Sequence, residues 1–325
     1  MEYKIFKLKF RGFTHFGETG IDLENVSEWV GSDTLFSAWL NAIKIFWGTE
    51  KASKICEQFL KNPPFRISSL FIYYQTHYFL PKPLSSIPAK EGRSDVFKAL
   101  KKTNWIPLDC YKEWLREEVS SSVIENAYTR QKEFYQKAYK RITRPRVALD
   151  RETLESNLFY EGYIQYAKEG GLWGVVVGNQ EGINLFMKGL ALLGEVGLGG
   201  ERTYGCGLFE VEEPEAEIEK QFGELLNHSS PYRVLISRFI PSEEELPRLE
   251  NGLKAYKIGI SRGWITSGRV AFPLKRKGIR FLKEGSVFKE SFNGAIVDIT
   301  PDNVNLRKLP HKIYRYGLAL TIPFC

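Results

Sequence analysis

Eleven residues, Gly197-Leu198-Gly199-Gly200-Glu201-Arg202-Thr203-Tyr204-Gly205-Cys206-Gly207, hold five glycines, one arginine and one tyrosine. Glycine is entropically costly in a folded chain, so this density needs a local reason. The usual reasons are a backbone at positive φ or one lying close against another molecule. Bare amides there offer donors to anionic oxygens, and Arg202 adds a planar charged fork. A second group is Arg144, Arg146 and Arg151 around Pro145. Pro145 forces an extended backbone, so Arg144 and Arg146 project to one side, suited to two-pronged contact with phosphates. A third is His15, in the loop after the first strand. It is a candidate acid/base for RNA cleavage, a ring that stacks on a base, or a hydrogen-bonded loop residue.

Each group has a plainer reading. The glycine loop can be a tightly packed turn, and the arginine run a solvated hairpin in which Asp150 pairs with Arg151. In the second half, Arg262-Gly263-Trp264-Ile265-Thr266-Ser267-Gly268 and Lys275-Arg276-Lys277-Gly278 place a cation and a large ring together. That suits stacking on single-stranded nucleic acid, and equally docking to another protein.

The elements around the glycine loop restrict its chemistry. Apolar residues at 185, 186, 189/190 and 193 recur at helical spacing, and Leu208–Val211 reads as a strand. The loop therefore runs from helix to strand, whereas nucleotide loops of the Rossmann and Walker types run from strand to helix. Arg202 stands where a third dinucleotide glycine would be, and no Gly-Lys-Ser/Thr follows Gly205. An NTP or NAD site is excluded here, and a contact with a ribose-phosphate backbone remains.

Upstream, residues 3–13 read as the first strand, and a helix starts with Ser32 as N-cap and can end at Gly48. Residues 66–74 and 77–80 read as a hairpin, followed by an insertion of about 93–178 whose 93–140 part is rich in Lys and aromatics, with helical pieces. Strands 158–166 and 172–177 precede the helix, the glycine loop and the closing strand. The order is β-α-β-β-α-β, a ferredoxin-like arrangement whose open sheet RNA-recognition domains use. The second half reads as strands 232–239, 254–264, 279–282, 295–299 and 313–322, with helix 243–249 and a further helical stretch at 302–307. The expected fold class is α+β: two ferredoxin-like domains, 1–212 and a degenerate, strand-rich 231–325, joined by an acidic linker at 213–230.

The chain has 325 residues and a net charge of +7, which favours an anionic partner. Residues 230–325 hold 17 Lys and Arg against 8 Asp and Glu, so the excess lies in the second half. Residues 210–224 hold seven Glu and one Lys, consistent with a solvated connection. The four cysteines form no Cys-x-x-Cys pair and the four histidines complete no metal-ligand spacing. No metal or other cofactor is expected, and the cysteines read as reduced thiols of a cytoplasmic protein. Met1 leads directly into a strand pattern, without a signal-peptide core, and no run suffices to span a membrane. No Ser/His/Asp arrangement or paired-carboxylate site emerges.

With these residues in view, the chain resembles the RAMP superfamily of CRISPR-associated proteins, and within it the fourth Csm subunits of type III-A effector complexes, relatives of the Cas-five handle-binding subunits. The resemblance runs nearly end to end. It rests on Thr14-His15-Phe16-Gly17-Glu18, Ser32-Asp33-Thr34-Leu35-Phe36-Ser37-Ala38, Arg146–Thr153 and the glycine loop. In the second half it rests on Ser261-Arg262-Gly263-Trp264, Lys283-Glu284-Gly285-Ser286-Val287-Phe288 and Tyr314-Arg315-Tyr316-Gly317-Leu318. It implies a non-catalytic subunit that holds the 5′ handle of CRISPR RNA and contacts the large polymerase-like subunit and a backbone RAMP subunit. It carries over the loop glycines 197, 199, 200, 205 and 207 with Arg202 and Tyr204, and the run Arg144, Arg146 and Arg151, as RNA-contacting. His15 matches a position used catalytically in some RNA-processing RAMPs, so metal-independent cleavage of CRISPR RNA is the alternative.

Overall fold

The strand Glu2–Phe10 is buried on both faces at its centre, which places it inside a sheet covered on both sides. The computed structural model bears this out and describes residues 2–17, 23–85, 87–88, 94–116, 118–150, 155–265, 274–302 and 311–324. The sheet order is Phe209–Glu212, Glu2–Phe10, Gly170–Gly178, Phe71–Tyr74, His77–Pro81 and Trp105–Pro107, all antiparallel. Phe65–Ile67 pairs the far end of Gly170–Gly178. Phe6 and Leu8 face one apolar cluster, while Ile5 on the alternate face meets a second.

Over the first face lie two helices. The helix Ser32–Lys61 bends at Gly48, whose φ of 86° is non-helical. Gly48 thus ends one segment as its sequence suggests, but a second segment continues to Lys61. Gly31, not Ser32, is the N-cap; the Ser32 hydroxyl instead accepts the backbone N–H of Arg238 at 2.9 Å. Helix Gln180–Val196 packs beside it, capped by the Asn179 side chain, which accepts the Gly182 N–H at 2.8 Å. Trp39 Nε1 donates to the Phe186 carbonyl at 3.0 Å and locks the pair.

Over the second face lie the helices Ser94–Lys102, Leu108–Trp114 and Ser121–Arg130, so this part of the insertion covers the sheet. The acidic stretch forms helix Ala216–Leu226 on the same face. Its Ile218, Phe222 and Leu225 are buried, each worth about 1.5–3 kcal/mol of burial, while its glutamates face water.

A long hairpin, Tyr139–Leu149 with Ser156–Tyr166, pairs over its full length and borrows Phe13–Thr14 as a third strand. In the second half the strands are shorter than the sequence pattern suggests, because they divide among several small sheets. The largest has the order Leu253–Ala255, Val287–Phe288, Tyr232–Leu235, Thr321–Phe324. The helix expected at 243–249 lies at Leu246–Gly252. The helical stretch at 302–307 falls outside the described residues except Asp302, which lies in a turn. Among the described residues no helix is long and apolar enough to cross a membrane.

Candidate nucleic-acid interface

The glycine loop begins where helix Gln180–Val196 stops at Gly197, φ 90°. Leu198 is fully buried and its N–H donates to the Gly207 carbonyl at 2.9 Å, closing the loop on itself. Gly207 N–H donates to Phe13 and Gly200 N–H to His15, both at 2.8 Å, tying it to the loop after the first strand. Two glycines are required by contact as well as by φ. A Cβ on Gly199 (φ 103°) would stand 2.5 Å from the His15 carbonyl, and one on Gly207 (φ 80°) 2.1 Å from that of Leu198. The amides of Leu198, Gly200, Tyr204, Gly205, Cys206 and Gly207 all serve the fold. Most of the loop's glycines therefore permit close packing rather than bare donors. Among the described residues the Gly199, Glu201, Arg202 and Thr203 amides have no hydrogen-bond partner, and Arg202 is exposed beside them.

Arg144 and Arg146 lie on the same face of the hairpin, as Pro145 between them dictates. The Arg144 guanidinium sits 4.0 Å from the Phe13 ring centroid and is exposed. Arg146 is held firmly: Nε lies 2.9 Å from Glu161, and its terminal nitrogen 2.6 Å from the Tyr163 hydroxyl and 3.2 Å from Glu201. Its guanidinium also lies 4.0 Å from the exposed Tyr204 ring. The Tyr163 hydroxyl bond, then the Glu161 charge, raise the Arg146 pKa further above its usual value. Arg146 thereby pins the hairpin to the glycine loop. Arg151 lies outside the described residues, so its pairing with Asp150 does as well.

His15 is buried to 9% exposure. Its Nδ1 lies 2.8 Å from the Gly162 carbonyl on the hairpin, and its ring packs under Gly200 and edge-on to Tyr163. It anchors loop to hairpin at the mouth of a cleft.

That cleft has a volume of about 750 Å³ and lies between the two halves of the chain. His15, Gly197, Gly199, Gly200 and Arg202 line one wall, and Trp29 and the start of the bent helix another. The opposite wall comes from the second half, with Arg238, Arg276, Lys283 and Arg315. Arg262 is exposed, and its carbonyl accepts from the Arg276 guanidinium at 2.7 Å. Trp264 is 56% exposed on the adjoining strand, with the Lys275 ammonium 5.0 Å from its ring centroid. Neither lines the cleft itself; they extend its basic wall outward.

Sequence reasoning missed the ionic group at the cleft floor. Asp33, fully buried at the start of the bent helix, accepts both Arg238 (2.9 and 3.1 Å) and Arg315. Burial pushes the Asp33 carboxyl up, but Arg238 and Arg315 pull it below the usual carboxylate range. Glu284 accepts the Ser69 hydroxyl and lies 3.8 Å from Arg238; burial dominates there and its pKa is raised. The only signal was that Asp33, Glu284 and Arg315 each sit inside a segment that carries the resemblance. Their convergence needs partners more than 200 residues apart.

Comparison with known proteins gives this geometry a family. The RAMP superfamily pattern matches residues 10–210, well over half of the chain. The chain belongs to the RAMP superfamily. The pattern of the CRISPR Csm4 C-terminal domain matches residues 228–324 of this RAMP protein. It is 29% identical over 301 residues, 90% of each chain, to the CRISPR system Cms protein Csm4 of Thermococcus onnurineus (strain NA1). It is 28% identical to the protein of the same name from Methanocaldococcus jannaschii, over 100% of this chain and 98% of that one. Its fold matches the crystal structure of a Csm3-Csm4 subcomplex of the type III-A CRISPR-Cas interference complex with a TM-score of 0.64, 20% identity and 99% of each chain covered. It also matches a Csm1-Csm4 cassette in complex with pppApApA at 0.60 and 21% identity, covering 99% and 98%.

Proposed function

We propose that this RAMP protein is the Csm4-type subunit of a cytoplasmic type III-A CRISPR interference complex, holding the 5′ handle of CRISPR RNA without cutting it. The observation that carries this reading is the cleft, with Arg202 and unspent amides on one wall and three guanidiniums on the other. A single strand fits such a groove, its phosphates meeting cations and its bases meeting exposed rings. Arg144, Arg202 and the amides of Gly199, Glu201, Arg202 and Thr203 contact the sugar-phosphate chain. Arg146 and His15 hold the hairpin and glycine loop in register for it, Arg151 extends the hairpin's basic end, and Tyr204, Arg262 and Trp264 receive bases.

The domain reading goes with it: residues 1–212 and 231–325 as two ferredoxin-like units. The antiparallel order of the first sheet and the positions of the two family matches support the division. The large polymerase-like subunit and a backbone RAMP subunit are the proposed partners, supported by the assemblies in which the fold neighbours occur. The test is co-purification: CRISPR RNA and the large subunit should accompany the tagged protein, and crosslinks should join the handle to residues 144–151 and 197–207. Handle crosslinks that avoid both segments overturn the reading. In EDTA, repeat RNA should stay intact with the pure protein; specific cleavage lost in His15→Ala would establish an endoribonuclease instead.

A further inference from the structure

The floor of the cleft carries an uncompensated positive charge. Arg238, Arg276 and Arg315 line it together, facing two carboxylates, Asp33 and Glu284. Asp33 is committed to Arg238 and Arg315. Arg276 has no carboxylate partner among the described residues; its guanidinium donates to the Arg262 carbonyl. The Nε atoms of Arg276 and Arg315 are buried with no hydrogen-bond partner among the described residues. Burial first, and then the neighbouring charge of Arg315, push the Arg276 pKa down to about 10. A guanidinium whose Nε is buried and unspent, beside two others, is costly unless an anion completes it.

We infer that the Arg276–Arg315 corner of the cleft is a phosphate site, built to take one phosphate group between fixed guanidinium forks. Guanidinium matches phosphate geometry in a way an ammonium does not, and all three cations here are arginines. Their positions are set before binding: Asp33 orients Arg238 and Arg315, and the Arg262 carbonyl orients Arg276. This deepens the functional reading above and rests on it only for the source of the phosphate. In that reading the group is one linkage of the bound strand, gripped at a fixed point while the remaining contacts track the backbone loosely. Lys283, which also lines the cleft, adds long-range attraction.

Two measurements on the full chain test this. The first is thermal unfolding in rising inorganic phosphate, with chloride holding ionic strength constant. The wild type should be stabilised, Arg276→Gln should not, and Arg276→Lys should keep only part of the response. Circular dichroism confirms that each variant folds. The second uses single-stranded handle RNA carrying a neutral methylphosphonate at one linkage at a time. One linkage should weaken wild-type binding about tenfold, with no further loss in Arg276→Gln. Wild type and Arg276→Gln responding alike to phosphate overturns the site, even if RNA binds. A phosphate response without any RNA binding keeps the site and overturns the strand as its source.

Discussion

Nε of Arg146 lies 2.9 Å from the carboxylate of Glu161, on the facing strand of the hairpin and two positions beyond its direct partner Phe159. Glu161 is 3% exposed, so this pair compensates a carboxylate that the fold has taken out of water. Arg146→Ala strands that charge and should lower stability by about 2–3 kcal/mol, less than for a fully buried pair because part of Arg146 reaches water. Urea unfolding checks this, and adding Glu161→Gln should restore most of the loss.

Arg202 is the opposite case. It is exposed and has no ion pair among the described residues. Arg202→Ala should leave urea stability unchanged within about 0.5 kcal/mol. It should weaken RNA binding for every sequence and flatten the plot of log affinity against log salt by about one unit. An unchanged slope removes Arg202 from the phosphate contacts.

Two glycines of the loop separate backbone strain from close contact. Gly205 has φ 77° but open space around it, so Gly205→Ala should cost only about 1–2 kcal/mol. Gly207 combines φ 80° with a carbonyl 2.1 Å from the position a Cβ would take. Gly207→Ala should cost about 3 kcal/mol or more and detach the loop from Phe13. Unfolding midpoints of the two variants make the comparison.

The buried carboxylates predict opposite pH responses. Asp33 titrates below its unfolded value, so its stabilisation is present above about pH 4 and is lost as pH falls through the lower folded value. Asp33→Asn should cost about 3–5 kcal/mol at pH 7 and make stability less sensitive to acid. Glu284 titrates above its unfolded value, so its ionisation opposes folding as pH rises through the folded value. Glu284→Gln should therefore be neutral or stabilising at pH 7. A large loss there would show that the Glu284 charge is needed.

What the sequence revealed was what local spacing encodes. The helix at 180–196 showed in its apolar period, the loop in its glycines, and the Arg144/Arg146 alignment in the proline between them. The Arg146 pairing was hidden because Glu161 and Glu201 become its neighbours only after the hairpin folds against the loop. The Asp33 cluster was hidden more deeply, since a buried aspartate at a helix start reads as an ordinary first-turn acid. Expecting bare amides along the loop erred for a related reason: glycine density reports closeness, and the close partner proved largely to be Phe13, His15 and the loop itself.

The hairpin's reach has a geometric consequence. Eleven paired residues per strand span about 35 Å, against a radius of gyration of about 20 Å for a chain of this length. From Thr143 to Leu149 no side chain is buried, and Val147, Leu149 and Leu158 stand exposed toward the tip. The outer part of the hairpin therefore leaves apolar surface in water that the rest of the described fold does not cover.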